Sequence, residues 1–166
     1  MKGLAHDAIA LLEAEHAAVL ALFDDYRQLS GHKAGGAKRR ALAEAICMEL
    51  MIHMRMEEEI FYPPLREAIA DDDLLDDSEL EHSGVKELIG QILSMRPGDE
   101  LYDAKVTVLG EYVARHVRQE REEMFPKARR SGIDLAALGS KLRARRRELE
   151  AVPEALREDA LLPVSA

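Results

Sequence analysis

Histidine and glutamate recur in this chain at a spacing that could hold metal ions. Residues 53–63 read HMRMEEEIFYP, and residues 116–126 read HVRQEREEMFP. Aligned on the histidine, the copies share His53/His116, Arg55/Arg118, Glu57/Glu120, Glu59/Glu122 and Pro63/Pro126. More than thirty residues upstream of each copy stands another histidine, His16 before the first and His82 before the second. On an α-helix, positions four apart lie about 40° apart around the axis and about 6 Å apart along it. His53 and Glu57 therefore face one way, as do His116 and Glu120. A set of four imidazoles and two carboxylates suits iron, manganese or zinc better than magnesium or calcium. A carboxylate at the centre can bridge two cations, whereas each imidazole binds one. One His-x-x-x-Glu alone is no more than a helix-surface pair. Two copies with matching Arg, Glu and Pro, each with its own upstream histidine, indicate a two-metal site.

Four long helical segments must position these residues, and chain breakers separate them. The first covers about residues 4–29, with Ile9, Leu12, His16, Val19 and Phe23 on one stripe. Ser30-Gly31 and Gly35-Gly36 end it. The second begins near Ala37 and extends to Pro63-Pro64 or on to Ala70, with Ile46, Glu49, His53 and Glu57 inward. An acidic run, residues 71–77, is expected as a loop, and Ser78-x-x-Glu81 as the capping box of the third helix. That helix carries His82, Val85, Ile89 and Leu93 and stops at Arg96-Pro97-Gly98. The fourth covers about residues 99–130, with Tyr112, His116, Glu120 and Glu123 on one face. A shorter helix over about residues 134–150 is expected across the bundle end. Short connections make neighbours antiparallel. The fold class is therefore all-α: an up-down-up-down four-helix bundle over residues 4–150 with a short extra C-terminal helix, followed by a flexible tail over 151–166.

Composition narrows the function. The chain has 166 residues, enough for one domain with a real core. Apolar residues make up 47 %, mostly Ala and Leu, and aromatic residues only 4 %, which favours helix. A net charge of −9 argues against a general nucleic-acid partner. The single cysteine, Cys47, excludes an intrachain disulfide and a thiolate zinc site and reads as a small core residue. No stretch reaches membrane-span length, no signal-peptide pattern opens the chain, and a cytoplasmic location is the expectation. No flavin or nicotinamide signature is visible, so the electron donor is unknown.

Other residues carry weaker signals. Glu13-x-x-His16 and Glu79-x-x-His82 permit a rival, ferritin-like set with Glu57 and Glu120. That set leaves His53 and His116 inward but idle and requires a long crossover, so it ranks below the histidine-rich one. Tyr112 is either an extra ligand or radical relay, or a core tyrosine. Glu49 and Glu123 are either acceptors behind the ligands or boundary residues. The plainer reading is preferred for Tyr112 and Glu49. Glu58 and Glu59 are expected in solvent. The methionines Met48, Met51, Met54 and Met56 are adaptable core filler. His6 and His32 lie outside the repeat, His32 in a glycine-rich loop. The basic run Lys141, Arg143, Arg145, Arg146, Arg147 reads as a solvated face balanced by Glu148 and Glu150 rather than a docking site for an acidic partner.

Glu15-His16, His53-x-x-x-Glu57 with Phe-Tyr-Pro, Glu81-His82, and His116-x-x-x-Glu120 with Met-Phe-Pro together resemble the hemerythrin-like, or HHE cation-binding, domain. The resemblance covers about residues 4–150. It implies a non-haem diiron centre with two Fe ions joined by an oxo or hydroxo bridge. The implied metal ligands are His16, His53, Glu57, His82, His116 and Glu120, with Glu57 and Glu120 bridging. The chain departs from the oxygen carriers at the third helix, where the carriers have His-x-x-x-His. Here Lys86 follows His82 by four, and an ammonium is a poor ligand. The missing imidazole leaves a coordination position to water or a tyrosine, which suits redox handling of oxygen, peroxide or nitric oxide better than reversible carriage. The resemblance leaves two outputs open, peroxide-decomposing or related turnover, and non-catalytic sensing or binding of oxygen, nitric oxide or iron. The implied partner is a small oxidant or gas, and the implied assembly a monomer or weak homodimer.

Overall fold

The structure is a computed structural model and describes residues 6–31 and 35–163. Its elements are α1 (Ala8–Gly31), α2 (Gly36–Met56), a π-helical turn (Glu57–Phe61), α3 (Tyr62–Ile69), α4 (Asp72–Leu93), α5 (Tyr102–Gln119), a second π turn (Glu120–Met124), α6 (Phe125–Arg130), α7 (Leu135–Glu150) and α8 (Pro153–Leu161). Each π turn joins two α-helices end to end, so α2 with α3 and α5 with α6 form single rods. With α1 and α4 they make the four-helix bundle expected from the sequence. Among the described residues there is no strand, and no helix is long and apolar enough to cross a membrane.

The core is built from the stripes that the periodicity marked. Ile9 and Leu12 of α1, Ile46 of α2, Ile89 of α4 and Leu109 of α5 are fully buried. Met51, Met54 and Met56 fill the same core, and Cys47 is buried among it. Burial pushes the Cys47 thiol up to about 12, so it behaves as a small apolar group.

The acidic run over 71–77 is not a loop. Ala70 ends α3 in the left-handed region (φ 47°), and Asp71 caps α4 by accepting from the Leu74 amide at 3.3 Å. Asp72 and Asp73 occupy the first turn, where the helix dipole favours carboxylates. Ser78 is therefore inside α4, fully buried, and is not its cap.

The C-terminal part also differs from expectation. α7 does not cross the bundle end but runs beside α1 in the same direction. Gly139 meets the start of α1, with room for no Cβ: one would stand 2.7 Å from the His6 carbonyl oxygen. One helical stretch later, Arg146 reaches Glu15. The segment expected as a flexible tail carries α8, which buries Leu156 and Ala160 against the bundle. A Cβ on Gly90 of α4 would stand 2.7 Å from the Ala160 carbonyl oxygen, so the glycine is what lets α8 approach. Pro153 starts α8 at a position where a missing N–H costs nothing.

Candidate metal centre

The four histidines and two glutamates of the repeat converge in the middle of the bundle. Glu57 and Glu120 are fully buried, and the four histidines are no more than 8 % exposed. His16 and His53 face each other Nε2 to Nε2 at 3.1 Å, and His82 and His116 do the same at 3.1 Å. Two donors that each sit about 2.1 Å from one ion stand about 3.0–3.4 Å apart, the range from right-angled to tetrahedral. The imidazole pairs have that separation. Each carboxylate spans both pairs. Glu57 Oε1 lies 2.9 Å from His53 Nε2 and 3.5 Å from His82 Nε2. Glu120 Oε1 lies 2.6 Å from His116 Nε2 and 3.6 Å from His16 Nε2. The ligand atoms form two overlapping groups, His16–His53–Glu57–Glu120 and Glu57–His82–His116, with Glu57 common to both.

The π turns set which residues share this space. Each starts at a glutamate of the repeat and closes on the residue five later: the Tyr62 amide donates to the Glu57 carbonyl, and the Phe125 amide to the Glu120 carbonyl. Residues five apart would diverge by about 140° on an α-helix. On a π turn they stack on one face. Tyr62 and Phe125 are thereby brought inward beside Glu57 and Glu120. Tyr62 stacks on His82 with ring centroids 5.5 Å apart, and Phe125 on His16 at 5.9 Å.

Apart from the histidine Nε2 atoms around them, both oxygens of Glu57 and both of Glu120 are buried without a hydrogen-bond partner. Isolated, such groups are among the costliest to bury. Nitrogen lone pairs converging on them supply the remaining donors that a cation needs, so the residues present fit a metal. The chain matches the family profile of the Hemerythrin HHE cation binding domain over residues 7–128. This chain belongs to that family. Its fold is similar to the crystal structure of a Hemerythrin HHE cation binding domain-containing protein from Mycobacterium kansasii, with a TM-score of 0.75 and 22 % identity over 93 % of this chain and 96 % of that one. A search of curated proteins returned no match.

Carboxylates behind the imidazoles orient them in this HHE domain. Glu15 Oε1 lies 2.7 Å from His53 Nδ1, and Glu58 Oε1 lies 3.1 Å from His82 Nδ1. Both therefore accept from Nδ1–H, which leaves each Nε2 lone pair turned to the centre. Glu81 Oε2 approaches His116 Nδ1 at 3.4 Å. Among the described residues no carboxylate stands behind His16. Arg146 holds Glu15, and Lys86 holds Glu58. Without metal, protons balance the charge. Burial alone pushes His53 down, but Glu57 and Glu15 overcome it and lift its pKa to about 10. Burial pushes Glu57 up, yet the His53 charge holds it well below the usual carboxylate range.

Several expectations for individual residues fail on this geometry. Tyr112 is 40 % exposed, with the Arg115 guanidinium over its ring at 5.6 Å. The inward face of α5 runs through Leu109, Val113, His116 and Val117, so Tyr112 falls on its solvent flank. It is neither a ligand nor a core tyrosine. Glu123 is exposed because the π turn delays the rotation and brings Met124 inward instead. Glu49 is a boundary residue that binds Arg146. Glu58 is not solvated, for the reason just given, whereas Glu59 is exposed as expected and pairs with Arg55 and Arg145 at the surface. Glu13 and Glu79 are exposed, so the ferritin-like set does not assemble. In the basic run, Arg145 and Arg146 pair with Glu148 and Glu150 as expected but also bind Glu59 and Glu49 of the bundle. His6 is exposed, and His32 lies outside the described residues. The sequence reading gave no role at the site to Tyr62, Glu15, Glu58, Glu81 and Arg146. The Glu-His dipeptides at 15–16 and 81–82, part of the resemblance, carried a signal for two of them: in each case the Glu backs the histidine of the next rod.

Proposed function

We propose that this chain is a non-haem diiron protein that handles a small oxidant, with peroxide decomposition as its activity. His16, His53, His82 and His116 would hold two iron ions, with Glu57 and Glu120 bridging them beside an oxo or hydroxo group. Bound there, the metals would supply one-electron redox steps and a place for a small ligand. The single observation that carries the reading is the pair of overlapping His/Glu groups sharing Glu57, in which both buried carboxylates lack any other partner.

The size of the site supports a small substrate. A cavity of about 20 Å³ lies between the four histidines and is otherwise lined by Val19, Leu50, Met54, Val85, Val113 and Val117. That is room for about one water-sized body. Dioxygen, nitric oxide and peroxide are close to that size, whereas larger organic substrates are far above it. Disproportionation of peroxide to water and dioxygen needs no outside electron donor, which accords with the lack of a flavin or nicotinamide signature. The chain's own part would be to hold the donors, exclude bulk water and keep Glu15 and Glu58 as proton acceptors at the Nδ1 atoms of His53 and His82.

The test is metal content, iron with zinc and manganese, followed by peroxide, oxygen and nitric oxide consumption. About two irons per chain and peroxide turnover that His116→Ala abolishes are expected. Stoichiometric gas binding without turnover would replace catalysis with sensing. Zinc alone, or full peroxide activity in His116→Ala, would overturn the proposal.

A further inference from the structure

The two halves of the metal centre are near-repeats in sequence, but they differ at the residue that each π turn brings inward. In the first copy it is Tyr62, and in the second Phe125. Both are at most 2 % exposed, so neither is there for solubility. The Tyr62 hydroxyl is 3.3 Å from His82 Nε2 and 3.4 Å from His116 Nε2. It therefore stands at donor-to-donor spacing from both imidazoles of one pair, by the same measure that relates those imidazoles to each other. Among the described residues nothing comparable faces the His16–His53 pair, where the Phe125 ring lies nearly parallel to His16 at an interplanar angle of 10°.

Resting on the diiron reading, we infer that the Tyr62 phenolic oxygen is a seventh protein donor, ligating the metal at the His82–His116 position, and that Phe125 leaves the other position without a counterpart. The two metals are then chemically unlike. The position vacated by the residue at 86 is closed by a side chain from the opposite rod. Lys86 is instead committed to Glu58, with Nζ 2.9 Å from Oε2. The open coordination place, and so the small ligand, belongs to the metal held by His16 and His53. On ligation the O–H bond breaks, the oxygen lone pair goes to the metal, and the proton leaves to solvent. A bound cation reverses the local preference for the neutral phenol, as it does for other ligands that must deprotonate.

The other tyrosines do not compete. Tyr26 donates to Asp103, Tyr102 packs at the same end of the bundle, and Tyr112 faces solvent.

The experiment is resonance Raman and visible absorption of the protein loaded with ferrous iron and oxidised, with iron per chain measured on the same samples. Phenolate ring modes enhanced through a phenolate-to-iron charge-transfer band are expected in the unmodified chain. They should shift when the chain is grown with ring-deuterated tyrosine. Tyr62→Phe should lose the band and keep its iron, while Tyr112→Phe should keep both. Iron present without phenolate modes in the unmodified chain would overturn the inference, whether or not Tyr62→Phe folds. A band that survives in Tyr62→Phe would overturn it too. Failure to hold iron would instead sink the diiron reading beneath it.

Discussion

Arg146 Nη1 lies 2.8 Å from Glu15 Oε2, while the other oxygen of that carboxylate lies 2.7 Å from His53 Nδ1. A helix outside the four-helix bundle thus reaches the metal centre through one carboxylate. Arg146 also holds Glu49 at 2.8 Å and Glu150 at 2.7 Å, so its guanidinium is fixed before it meets Glu15.

Removing that orientation should weaken metal binding without removing a ligand. Glu15→Gln cannot hold the Nδ1 proton as a carboxylate does, and a loss of about 10–100-fold in metal affinity is expected. Arg146→Met keeps the aliphatic stem and should cost less. Competition with a chelator of known affinity gives both values. Unchanged affinity in Glu15→Gln would show that His53 is oriented by packing alone.

Metal removal should destabilise the fold, because the ion binds the six converged side chains of the folded chain and not the unfolded one. At a free ion concentration of 100 Kd the bound state gains about 2.7 kcal/mol per site, roughly 5–10 °C in Tm for a chain of this size. Thermal melts before and after chelation check this. Equal melting temperatures would mean that the bundle does not rely on the ion.

Metal affinity should rise with pH. The metal-free His53 pKa is about 10 against an ordinary value of 6.5, so at neutral pH a cation must displace its proton. Affinity then increases about tenfold per pH unit for each such proton, up to about pH 10. For the metal-free chain the signs are opposite on the two sides. The raised His53 contributes stability present in full below about pH 6.5 and lost as pH rises through about 10. The lowered Glu57 contributes stability present above about pH 4.5 and lost as pH falls. Stability should peak between those limits and decline toward alkali, a decline that metal loading abolishes.

The C-terminal helix should behave as part of the fold. Leu156→Ala deletes a side chain that is 2 % exposed and should cost about 2–5 kcal/mol. Gly90→Ala, whose Cβ meets the Ala160 carbonyl oxygen, should cost about 1–3 kcal/mol. Urea denaturation measures both. Negligible losses would restore the flexible tail expected over residues 151–166.

The sequence by itself determined the four rods, their antiparallel order and the six residues that meet at the centre. It could do so because those facts repeat: a 3.6-residue stripe and two copies of His-x-x-x-Glu are periodic signals that survive without a structure. What only the tertiary structure decided lies where local geometry departs from that period or where partners are far apart in the chain. The π turns move Tyr62 inward and Glu123 outward, and an ideal helical wheel assigns both by the wrong rotation. Arg146 meets Glu15 across 131 residues, and Glu58 meets His82 across 24, so charge alone placed both at the surface. The ends of α7 and α8 depend on two glycines whose role is the absence of a Cβ against another backbone, a contact that exists only once the helices are packed.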